Sequence, residues 1–83
     1  MSNPNEKRKA EIEKRAKKIG NRKVTGYLED LFEKMDQMGP HAGVWIEGLE
    51  SDWARFAKPQ GLTHGFSDDD FADLHEALFG YRP

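Results

Sequence analysis

The sequence predicts an all-α fold: a small three-helix core preceded by a basic N-terminal helical arm. Three observations carry this. Residues 25–38, 42–57 and 68–79 each place their apolar side chains on one face at helical spacing. Stop signals separate the segments: Gly20-Asn21, Gly39-Pro40, Pro59-Gln60-Gly61 and Gly80. Charge is also segregated. Residues 1–23 hold nine of the thirteen bases and three of the fifteen acids, a net of +6, and residues 24–83 hold the rest, a net of −8. The expected division is a basic helical arm, 1–23, and a compact acidic helical domain, 24–83. Such a split marks an interaction tail.

The chain has 83 residues and no cysteine. A domain of that size buries only about 60–65% of its unfolded surface, and no disulfide adds to its stability. Association with a partner, or with a second copy as a homo-oligomer, is then the most available source of further stability. The absence of cysteine suits a cytoplasmic protein. No run is apolar for the roughly 18 residues a membrane span requires, and the polar N-terminus is not read as a signal peptide.

The elements follow in order. Asn3-Pro4-Asn5-Glu6 reads as a helix start, with Asn3 the cap, Pro4 at the first helical position and Glu6 in the capping-box place. Good helix formers follow, with Glu11–Arg15 and Glu13–Lys17 as i,i+4 pairs. Ile12, Ala16 and Ile19 form only a thin apolar stripe, which predicts a solvated helix that frays in isolation. A helix continued past Gly20 would put this stripe roughly 100–120° off the next apolar face, so a break is expected near residues 20–24. The second helix is expected over 25–38, with Tyr27, Leu28, Leu31, Phe32, Met35 and Met38 inward, and Val24 allows an earlier start.

Gly39-Pro40 marks a turn that opens the stretch holding both tryptophans. On a helix at about 100° per residue, Ala42, Trp45, Ile46, Leu49, Trp53, Phe56 and Ala57 fall within an arc of roughly 120°. Aromatic residues dominate buried area, so this single helix, ending near Lys58, is the expected centre of the core. A short strand over 43–48 is the competing reading, from the Val-Trp-Ile cluster, with no convincing second strand to pair with it. Residues 58–66 are expected as loop. Ser67 caps the last helix, Asp70 completes a capping box, and Asp68 and Asp69 suit the helix dipole. Phe66 is placed to staple against Phe71, and Gly80 ends the helix.

Catalysis finds little support. There is no cysteine nucleophile, Ser2 is terminal and Ser67 reads as a cap. His41, His64 and His75 lack metal-ligand spacing, and Asp68-Asp69-Asp70 lacks the pattern of a calcium loop. No glycine-rich phosphate loop is present. The expectation is therefore a non-enzyme with no cofactor and no metal.

The leading expectation is a small regulatory or adaptor protein that binds another protein, as an inhibitor of the kind phages and mobile elements use by analogy. Its expected contact residues are Trp45, Trp53, Phe71, Leu74, His75 and Leu78, since aromatic anchors dominate interfaces and Phe71, Leu74 and Leu78 have groove-anchor spacing. The bland reading is that the last helix simply closes the core. The main alternative is a nucleic-acid-associated protein. Lys7, Arg8, Lys9, Lys14, Arg15, Lys17, Lys18, Arg22 and Lys23 would then contact phosphates, with no base-reading face and no interleaved aromatics. A weaker reading takes the acids of residues 29–76 as a mimic of a nucleic-acid backbone.

Overall fold

The computed structural model describes residues 4–83, and every regular element among them is helical. The order is α1 (Pro4–Ile19), α2 (Arg22–Met38), a 3₁₀ turn (Gly39–His41), α3 (Ala42–Ser51), α4 (Trp53–His64) and α5 (Asp68–Phe79). The chain is all-α, as predicted, and residues 43–48 are helix rather than strand. Asn3 lies outside the described residues, so its cap is not described.

The break between α1 and α2 falls where the two apolar faces go out of phase. Gly20 takes a left-handed φ of 73° and donates its N–H to the Ala16 carbonyl, which closes α1. Asn21 then caps α2, its side-chain oxygen accepting from the Lys23 and Val24 amides. The boundary expected between residues 23 and 24 therefore lies inside α2.

The core is centred elsewhere than expected. Its largest fully enclosed side chains are Val24, Leu31 and Met35 of α2 and Leu74 of α5. Ile12 and Ala16 of α1 join them, and α1 packs against α5 more extensively than any other two elements meet. The thin stripe is thus a core face, which corrects the expectation of a solvated arm. Truncating a buried isoleucine to alanine costs about 2–5 kcal/mol. That is a large fraction of the roughly 5–15 kcal/mol that holds a domain together. Polar residues widen the stripe. Asn5 is buried on the same face, and Lys9 lies mostly covered between Glu6 and Asp36.

The tryptophan stretch is two helices. Asp52, at φ −125° and ψ 48°, leaves helical geometry between them. Locally the sequence favours that bend: Gly48 is a weak helix former, and the Ser51 hydroxyl donates back to the Glu47 carbonyl. Trp53 follows the bend and meets His75 and Phe79 of α5 edge-on, at centroid distances of 5.0 and 5.7 Å. Only Ala42 is buried in α3, and nothing in α4 is. The two helices lie against the α1–α2–α5 core rather than forming its centre.

Residues 58–64, expected as a stop and loop, continue α4 through Pro59 to His64. A proline inside a helix is unfavourable by about 3 kcal/mol. Here its ring is on the exposed side, and tertiary contacts hold the following turn. His64 packs edge-on to Tyr27 at 5.3 Å, and Phe71 covers Gly61 so closely that a Cβ there would come within 2.8 Å of the ring. Gly65, at φ 64°, ends the helix.

The start of α5 forms as predicted. Ser67 and Asp70 make a full capping box, and Phe66 stands 5.2 Å from Phe71 as the staple. Asn21 reaches across to the same point and donates to Asp70 (2.7 Å) and Asp73 (2.9 Å). The Asp70 carboxylate is held well below the usual range, first by the Ser67 backbone N–H and then by the Asn21 amide. A carboxyl with a depressed folded-state pKa adds stability above its unfolded pKa of about 4 and loses it as pH falls further. Wild-type protein should therefore lose stability on acidification below about pH 4, and Asp70→Asn should be less stable at neutral pH with a flatter acid limb; urea denaturation across pH checks both.

Candidate functional site

Two surfaces remain once the core is assigned. The first is formed by α3 and α4. Trp45, Ile46, Leu49, Trp53 and Phe56 pack against the core and stay only partly buried. Val44 is 71% exposed and Leu62 90% exposed. Neither was among the expected contact residues. Val44 was legible as an apolar residue off the main arc, whereas Leu62 was hidden in an expected loop.

The expected contact residues divide. Trp45, Trp53 and Phe71 keep part of their surface. Leu74, His75 and Leu78 do not: all three are buried, so they cannot be contact anchors in this fold. The spacing that suggested a docking helix is the spacing of a core helix. His75 is fixed from several sides. Its Nδ1 lies 2.7 Å from the Tyr81 carbonyl. A carbonyl only accepts, so Nδ1 carries the proton. Trp53, Phe79 and Tyr81 meet its ring edge-on. The Tyr81 hydroxyl donates to Glu50 at 2.6 Å, which ties the C-terminal tail to α3 and raises the phenol pKa.

No protein-family model, curated protein or solved structure matches this chain. Function therefore rests on what the surfaces can do.

The second surface is the outer side of α1. The structure sorts the nine N-terminal bases into two groups. Arg15 was expected to pair with Glu11. It instead donates from Nε to the Ala77 carbonyl (2.9 Å) and from Nη2 to the Leu78 carbonyl (3.0 Å), closing the C-terminus of α5. Lys9 bridges Glu6 (3.0 Å) and Asp36 (2.8 Å), which together raise its pKa, the Asp36 hydrogen bond most. Lys23 donates to the Gly65 carbonyl (3.0 Å) and approaches Asp70 (3.4 Å). Arg8 lies over the Gly43 backbone of α3, where a Cβ would come within 2.6 Å of Nη2. These four are structural. Among the described residues Lys7, Lys14, Lys17, Lys18 and Arg22 make no ion pair within 4.0 Å, and all five are exposed.

A groove of about 510 Å³ runs between α1 and α2. Ala10, Leu28 and Phe32 line it with acids and bases at its rim, Glu13 and Glu29 against Lys14 and Lys17. The mixed rim selects no one sign of charge. Among the described residues no group of three or more histidines and carboxylates converges on a point, and no helix is long and apolar enough to cross a membrane.

The sorting of the bases is open to a direct check. Arg15→Gln should lower stability by about 1–2 kcal/mol, the lower part of the range for charged hydrogen bonds, because the side chain is only partly buried. Lys14→Gln, one residue away, should change it by less than about 0.5 kcal/mol. Urea denaturation followed by circular dichroism measures the difference.

Proposed function

We propose that this protein is a non-enzymatic regulatory or adaptor protein that acts by binding another protein through the α3–α4 face. Inhibition of that partner is the simplest outcome of such binding. One observation carries the reading: two helices that hold both tryptophans of the chain fully bury only one alanine. An 83-residue chain has little apolar surface to spare for its core. Leaving two Trp, a Leu and a Phe only partly covered, with a valine and a leucine of the same two helices in full view, suits a surface completed by a partner. Trp and its aromatic neighbours supply large contact area with few side-chain torsions to freeze.

Leu74, His75 and Leu78 leave the contact set, and Val44 and Leu62 enter it beside Trp45 and Trp53. Val44→Asp and Leu62→Asp change exposed side chains, so both variants should keep the wild-type melting temperature. Each should lower recovery of the wild type's partner in quantitative affinity capture by at least about tenfold, the effect of losing roughly 1.4 kcal/mol of binding energy. Equal recovery by both folded variants, or a wild-type protein that captures nothing, overturns the reading.

A further inference from the structure

We infer that the outward side of α1 is a second, independent surface that binds the phosphate backbone of nucleic acid. It does not depend on the α3–α4 face. Lys7, Lys14 and Lys18 fall within an arc of about 40° at 100° per residue, and they project about 120–180° away from Ile12 and Ala16. They span about 16 Å along the helix axis. Lys17 flanks this row, and the exposed Arg22 follows at the start of α2. The ion-pair pattern separates these five from the bases that serve the fold. Lys9, Arg15 and Lys23 turn to carboxylates or helix-end carbonyls, while the five are left with water. Glu11 and Glu13 on α1 and Glu29 across the groove are the acids nearest the row, so it keeps a net of two positive charges on a chain whose total is −2.

The chemistry of the row selects the occupant. Apart from Pro4 and Ala10, no apolar side chain of α1 lies on this side, so it offers no bulky anchor to fill a pocket on a protein partner. It likewise lacks the bulky apolar residues that seat an interfacial helix in a bilayer. Spaced, solvated ammonium groups on a rigid helix suit a regular array of phosphates, gaining affinity from counterion release. Such contacts position a protein and carry no base specificity. Binding is therefore sequence-independent and sensitive to salt, and the acidic remainder of the molecule confines it to this one side.

Fluorescence anisotropy of the full chain with labelled duplex DNA of about 20 base pairs, from about 20 to 200 mM salt, tests this. Five phosphate contacts set an upper limit of about 4.5 on the log–log salt slope. Lys14→Glu with Lys18→Glu should weaken binding at low salt by at least tenfold and flatten the slope by about 1.8. Lys34→Glu with Lys58→Glu, exposed bases on α2 and α4, should leave it unchanged. Circular dichroism confirms that each variant is folded. No binding by wild type at low salt overturns the proposal, as does equal loss in both double variants. Phosphatidylserine vesicles run in parallel give the remaining outcome: binding to vesicles without binding to duplex assigns the row to an anionic membrane and equally overturns it.

Discussion

Helix ends are the constraint on which this structure depends. Each α-helix leaves unsatisfied carbonyls at its C-terminus, and a chain of 83 residues with no cysteine has little else to hold its helices together. The N-terminal segment supplies the missing donors. Asn5 donates to the Gly39 carbonyl at 2.8 Å where α2 ends, Arg15 closes α5, and Lys23 reaches the Gly65 carbonyl where α4 ends. Asn21 does two things at once, capping α2 through its oxygen and donating to Asp70 and Asp73 of α5 through its nitrogen. Apolar burial of Ile12 and Ala16 sets α1 on the core, and these polar side chains fix its register and orientation.

The same arrangement explains why the charge of the N-terminal segment has two meanings. A base in the first 23 residues is either a fastener or a free cation, and position on the helix decides which. Lys9 and Arg15 flank the buried stripe and turn inward to partners on α2 and α5. Lys7, Lys14 and Lys18 stand opposite the stripe, where the fold offers them no partner. Total charge describes neither group, because the fasteners are committed to carboxylates, carbonyls and packing within the molecule and the free row acts locally.

Most of the helices were legible in the sequence because they rest on local rules. Gly20, Gly39 and Gly80 take positive φ at the stops they mark, and Ser67 with Asp70 forms the capping box its spacing announces. What sequence reading mistook was tertiary. Counting only apolar residues made α1 an arm, although Asn5, Lys9 and Arg15 extend its inner face with hydrogen bonds to residues some 27 to 63 positions away. Counting aromatic area made the Trp stretch the core, although its rings stay only partly buried over a core that is mostly aliphatic, with Tyr27 its one buried ring of Phe, Trp or Tyr type among the described residues. Pro59 and Gly61 read as a stop, and only the rings of Tyr27 and Phe71 show why the helix continues past them. Of the expected contact residues, the tryptophans kept exposed surface, while Leu74, His75 and Leu78 were core residues that periodicity alone could not separate from a docking face.

An integral α1 also links fold and function. A helix that both fastens the core and carries the free cations holds those cations at fixed spacing, while the α3–α4 pair, more lightly attached, presents the aromatic surface. The central claim is that α1 belongs to the core. Native-state hydrogen exchange tests it most directly. The amides around Ile12 to Ala16 should exchange only on global unfolding, with the same free energy as those of α2 and α5. Rapid exchange along α1 while α2 and α5 remain protected would restore the picture of a fraying arm and contradict the account.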